Sequence, residues 1–190
     1  MSGLDPELHA LADGWMKAIG EARIAADLER IYALCTNEIR LRGPSCWASG
    51  RCCNFDRAEH RLYVTGIEAA YCVSRVNLTD LSCAKQQADP ERIQLTIGGA
   101  SSPTVATEDF GLELARAIDN GGCPFQVANL CGVHEIKPLG CRVYFCDRSA
   151  QGWQRELSEA LLAQIRRMHE RYDIEYRYGE WRTMLGMFRT

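Results

Sequence analysis

A chain of 190 residues is long enough for one domain with a sizeable core and short for two. Its apolar share of 46% and charged share of 25% are those of an ordinary globular protein, and a net charge of −3 gives nucleic acid or an anionic membrane no electrostatic footing as the main partner. No apolar run approaches the roughly 20 residues that span a bilayer, and the opening MSGLDPELHALADGW carries acids without a basic stretch, so it does not read as a secretory signal.

The expected location is therefore the cytoplasm. The expected architecture is one domain over 1–190, mostly α with a small β element (α+β). Leu4, Leu8, Leu11, Trp15 and Ile19, then Ile24, Leu28, Ile31, Cys35 and Ile39, recur at helical spacing, so 5–41 reads as helix, kinked or broken at Gly20. Gly43-Pro44 stops it and opens a loop, CWASGRCC, over 46–53. HRLYVT (60–65) alternates like a short strand, and Thr65 can cap a helix with Ala69, Cys72, Val73 and Val76 on its apolar face. Leu78 to Ala88 can be helix, RIQLTI (92–97) strand, and GGASSP (98–103) loop. Phe110, Leu114 and Ile118 give a helix that ends at Asn120-Gly121-Gly122. A second cysteine block follows over 123–146, and 125–133 is a further place for a strand. Trp153, Leu157, Leu161, Ile165, Met168 and Tyr172 make a long stripe, so 151–173 is a helix expected to pack on 5–41. A last short helix is expected near 179–187. The arginines of 166–182 are offset by six acidic residues in 156–180, which reads as a solvated helix face rather than a nucleic-acid contact.

Ten cysteines are the anomaly. In a reducing compartment, clustered cysteines point to metal ligation or redox chemistry more than to disulfides. Cys35 and Cys72 lie on apolar helix faces and, with the isolated Cys83, read as small buried hydrophobes. The other seven, Cys46, Cys52, Cys53, Cys123, Cys131, Cys141 and Cys146, fall in the two blocks and form the candidate metal-binding set. Gly50, Gly122, Gly132 and Gly140 stand beside these sulfurs, where they permit close backbone approach and N–H groups aimed at thiolates. Arg51, Lys137, Arg142 and Arg148 can offset the net negative charge of four thiolates around a cation. Which metal is open on spacing alone: there is no C-x-x-C, so neither the usual zinc knuckle nor the contiguous ferredoxin run is present. Adjacent Cys52 and Cys53 point apart in extended chain, so one of them, Cys53 for preference, is expected to ligate.

Together the two blocks resemble the YkgJ-like cysteine-cluster family, described as zinc- or iron-chelating. That family's pattern is C-x-x-C-G-x-C-C, a strand, a helix with a glutamate, then C-P-F, C-x-I-Y and R-P-x-x-C-R-x-Y. Cys46, Gly50, Cys52 and Cys53 match the first part, with Ser49 where a cysteine is expected. Glu68 falls at the helix glutamate. Cys123-Pro124-Phe125, Cys131, Pro138, Cys141, Arg142 and Tyr144 match the rest, with Lys137 for arginine and His134 for tyrosine. The match covers about 44–147. It implies an iron–sulfur cluster, with zinc as the alternative cofactor, and the ligand missing at Ser49 can be supplied by Cys146, Glu68, His60 or His134. The expected function is a metal-cluster protein with a redox role. Its rivals are a zinc-stabilised interaction module and a metal-dependent enzyme, since such domains look similar to part of flagellin lysine methylases. GGASSP lacks the strand-loop-helix setting of an S-adenosylmethionine site. A metal ion or cluster is the only partner the sequence names.

Overall fold

The computed structural model describes residues 5–44, 49–78, 81, 84, 85, 107–145 and 147–188, and of 107–109 and 148 the backbone alone. Cys46, Cys83 and Cys146, the side chain of Arg148, the strand expected over 92–97 and the loop 98–103 lie outside the described residues, as does most of 79–88.

Helices dominate because the periodic segments form as the spacing dictates. The first, α1 (Pro6–Gly20), opens with Asp5 accepting from the Glu7 N–H at 3.0 Å and with proline at its first position. The backbone then turns extended at Glu21, so the N-terminal stretch is two helices and not one kinked helix. Helix α2 (Ala22–Arg42) ends where Gly43 takes a left-handed conformation and donates to the Ile39 carbonyl at 2.9 Å. Strand β1 (Tyr63–Thr65) leads directly into α3 (Gly66–Arg75), and α4 follows over Thr107–Asp119. The second cysteine block contributes a two-residue hairpin, β2 (Gln126–Val127) and β3 (Leu130–Cys131), then the one-turn helix α5 (Leu139–Val143). Ala128 and Asn129 both have positive φ, the backbone such a hairpin demands. Helix α6 (Gln151–Tyr172), strand β4 (Tyr178–Glu180) and α7 (Trp181–Gly186) complete the chain.

Helix α6 lies antiparallel to α2. Near one end Tyr172 donates to Asp27 at 2.7 Å, and near the other Arg42 sits over the Trp153 ring at 5.2 Å. Strands β1 and β4 pair antiparallel with Tyr63 opposite Glu180 and Thr65 opposite Tyr178. This strand was not expected at 178–180, where the sequence reading places the start of a helix; the helix begins at Trp181 instead. One core draws on every described helix, with Trp15, Leu28, Ile67, Leu114, Val143, Ile165 and Trp181 among its buried members. Ile118, expected on the apolar face of α4, is exposed at 43%. Among the described residues no helix is long and apolar enough to cross a membrane.

Candidate metal centre

The first cysteine loop is shaped by its glycine. Gly50 takes a left-handed conformation (φ +69°) and starts a single 3-10 turn over Arg51–Cys53, which swings Cys52 and Cys53 to the same side with their sulfurs 3.9 Å apart. The expectation that these neighbours point apart holds only for extended chain, and here the chain turns. Cys53 is buried and Cys52 exposed.

This loop is latched to the second block along its backbone. The Cys123 N–H donates to the Cys53 carbonyl at 2.8 Å, the Asp56 N–H to the Gly121 carbonyl at 3.0 Å, and the Gln126 side-chain amide to the Gly50 carbonyl at 3.3 Å. A Cβ on Gly50 would stand 2.6 Å from Gln126 Nε2, and one on Gly121 (φ +67°) 2.6 Å from Asp56 Oδ2. The glycines therefore permit the approach of the two segments. The amides of Gly122 and Gly132 donate to the carbonyls of Ala117 and Phe125, not to sulfur.

The thiols so gathered act on one another. Cys53, whose sulfur is 3.9 Å from that of Cys52, interacts with Cys123 and Cys52, which keeps its own proton on and favours thiolates at these neighbours, Cys52 being drawn down to about 6. The Cys123 thiolate is further favoured by the Phe125 N–H, the Trp181 indole N–H and the Lys85 charge, against the cost of its burial. That indole nitrogen is buried and has no partner at hydrogen-bond distance. At Cys131 burial pushes the thiol up, opposed by the Val133 N–H and by Lys137, while charge on Cys123 and Cys52 adds to the rise. Cys141 is pushed well up by burial, then by Cys123 and Cys131. Five thiols from two distant segments thus share one electrostatic neighbourhood. Among the described residues, no three His, Cys, Asp or Glu side chains stand in ligating geometry around a common point.

The remaining sequence candidates separate. Cys35 and Cys72 are fully buried in the core, with burial raising both thiols, Cys35 to about 11. Of the expected cations, Lys137 faces Cys52, Cys131 and Cys141. Arg142 is a staple: it lies over the Tyr32 ring at 4.1 Å and donates to the carbonyls of Lys137 and Glu135 at 2.8 and 2.6 Å. Glu68 is neither exposed nor open to a metal. It is 1% exposed, and its Oε2 accepts from the Thr65 N–H and hydroxyl while Oε1 accepts from the Leu139 N–H at 2.7 Å and the Tyr32 hydroxyl at 3.3 Å. It caps α3 and clamps the first residue of α5, the helix that carries Cys141. His134 is at the surface, 3.6 Å from Glu135. Ser49 accepts from the Arg51 N–H at 3.4 Å and borders a cavity with Arg51, Asn54 and Arg57 that neither block's cysteines line. His60 lies closer to the thiols. Its ring stacks on Tyr144 at 5.1 Å, its Nδ1 is buried without a hydrogen-bond partner, and it lines a cavity with Cys52 and Cys141.

Two groups were missed by sequence reasoning, Lys85 and Trp181. Lys85 is held by Glu113 and the Pro124 carbonyl, each at 2.6 Å. Neither carries a local sequence signal, because each reaches Cys123 only through the tertiary fold. No family model, no curated protein and no solved structure matches this chain.

Proposed function

We propose that this chain is a cytoplasmic metal-cluster protein of the YkgJ-like kind, holding an iron–sulfur cluster, or zinc in its place, between its two cysteine blocks. The observation that carries the reading is the latch from Cys123 N–H to Cys53 carbonyl, which brings thiols about 70 residues apart in sequence into one neighbourhood. Burying so many ionisable sulfurs together is costly unless a cation compensates. The surroundings suit thiolates: backbone and indole N–H groups and two lysines all act in their favour. The 3.9 Å between the Cys52 and Cys53 sulfurs suits two thiolates on one tetrahedral ion, which stand about 3.8 Å apart with bonds of about 2.3 Å. Cys52, Cys53, Cys123, Cys131 and Cys141 would supply ligands, joined by Cys46 or Cys146. When bound, a cluster would supply one-electron chemistry.

Elemental analysis of anaerobically purified protein tests this. Iron with equimolar acid-labile sulfide is the expected result, and stoichiometric zinc without sulfide would give the centre a structural role. Serine at Cys53, Cys123 or Cys141 should at least halve the metal content, while serine at Cys35 or Cys72 should leave it unchanged. Protein carrying neither metal, or two sets of variants that behave alike, would end the reading.

A further inference from the structure

Two indole groups among the described residues are fully buried, and they differ in one respect. Trp15 and Trp181 are each 1% exposed. The Trp15 N–H donates to the Glu175 carbonyl at 2.8 Å. The Trp181 Nε1 has, among the described residues, no partner at hydrogen-bond distance. Indole nitrogen can only donate, so a buried one calls for an acceptor.

The fold sets that donor against the candidate metal centre. Trp181 opens α7, and its backbone N–H donates to the Leu62 carbonyl at 2.8 Å, just ahead of β1. Its ring packs on Phe125 with centroids 5.9 Å apart, and Phe125 stands two residues beyond Cys123. The next residue, Arg182, lies over the Phe55 ring at 5.3 Å and donates to Asp56 at 3.4 Å. Helix α7 thus rests on both sides of the join that Asp56 and Cys123 make. The sulfur the indole acts on is that of Cys123. A thiol sulfur accepts weakly, whereas a thiolate accepts strongly. The indole is therefore placed for the charged sulfur that metal ligation requires.

We propose that Trp181 is a positioning residue that tunes the centre: its buried indole N–H donates to the Cys123 sulfur once that sulfur is a metal-bound thiolate, and so raises the reduction potential. This rests on the reading given above, that Cys123 ligates. Reduction adds a negative charge to a cluster, and a fixed donor at one of its sulfurs stabilises the more negative state. Phe110 stacks on Phe125 at 5.9 Å behind the indole, and the burial of all three rings keeps water from competing for the N–H. Trp181 lies beyond both cysteine blocks, so the C-terminal segment contributes to the centre without supplying a ligand.

Two replacements at Trp181 test this by redox titration of the anaerobically purified full chain. Benzothienylalanine keeps the shape of the ring and puts sulfur where the N–H stood, and Trp181→Phe removes the N–H with some loss of bulk. In both, the midpoint should fall by about threefold or more in the reduction equilibrium, about 28 mV for one electron, with metal content unchanged. Trp15→Phe removes an equally buried indole N–H and should lower the melting temperature without moving the midpoint. If the native metal is zinc, cobalt(II) in its place is the probe. Its thiolate-to-cobalt charge-transfer band should then move to longer wavelength in the Trp181 proteins and stay put in Trp15→Phe. A midpoint or band unchanged in the benzothienylalanine protein, or moved as far by Trp15→Phe, overturns the proposal. Metal content keeps the two readings apart. Wild-type protein that takes up no iron, zinc or cobalt loses the centre and this role together, whereas loaded protein with an unmoved midpoint or band loses only the role of Trp181.

Discussion

Glu68 shows how much a single buried carboxylate can organise. Its four donors come from Thr65, Tyr32 and Leu139, so it joins the start of α3, the middle of α2 and the first residue of α5. Glutamine in its place would turn an amide NH₂ toward two of those donors, and a buried polar group left facing another donor costs about 1–3 kcal/mol. Glu68→Gln should therefore unfold at lower urea concentration at neutral pH. The pH dependence has a definite sign. Burial outweighs the four donors and raises the carboxyl above its ordinary value of 4.5. The folded protein thus holds this proton to higher pH than the unfolded chain does. That contribution is fully present below about 4.5 and is lost as pH climbs through the raised folded value. Stability of the native protein relative to Glu68→Gln should accordingly decline with rising pH across that window. Parallel pH curves for the two proteins would show that Glu68 is not the titrating group.

The pairing of α1 with α3 depends on a residue with no side chain. A Cβ at Gly66 would fall 2.2 Å from Trp15 Cε2, inside any tolerable contact. Trp15 has no room to retreat, being 1% exposed and tied by its indole N–H to the Glu175 carbonyl at 2.8 Å. Gly66→Ala should therefore cost about 1–3 kcal/mol by overpacking. Gly14 gives the contrast on α1, since a Cβ there meets nothing within 4 Å. Gly14→Ala should stabilise by about 0.5–1 kcal/mol through helix propensity alone. Urea titration of both variants reads the difference, and a neutral Gly66→Ala would mean the two helices can slide apart. These elements also mark what sequence can convey. The stripe from Trp153 to Tyr172 announces α6, and the apolar neighbours of Cys35 and Cys72 announce their burial, because each is a periodic, local signal. Strand β4 is three residues long and exists only because β1 lies beside it, so no local pattern marks it. The same holds for Glu68, whose partners on α2 and α5 adjoin it only in the fold, and for Lys85 and Trp181 beside Cys123. Neighbourhood among the cysteines was legible from their clustering, whereas the sharp turn at Gly50 that aligns Cys52 with Cys53 was not.

At the scale of the molecule one core reaches into the cysteine blocks, where Phe125, Leu139 and Val143 are buried members of it. Helices α1, α2 and α6 are fixed by a buried core that includes Trp15, Leu28 and Ile165. Among the described residues, the polar join between the blocks is made by three hydrogen bonds, from Cys123, Asp56 and Gln126. Closing a segment of about 70 residues costs on the order of 4 kcal/mol of chain entropy, and three hydrogen bonds, each contributing about 1 kcal/mol net, scarcely offset that alone. A metal bridging both ends would supply the balance, because its binding free energy becomes folding free energy. Chelation should then act unevenly. Amide hydrogen exchange at Cys53, Asp56, Cys123 and Phe125 should accelerate at least tenfold in metal-free protein, while the amides of Ile31, Tyr32 and Cys35 in α2 stay protected. The melting temperature should fall by about 5–10 °C, the response of a chain this size to a loss of about 2–3 kcal/mol. Uniform acceleration across both regions would mean that the centre and the core unfold as one unit. Unchanged protection at the latch would mean that the backbone bonds suffice, and that the thiols need no cation to stay together.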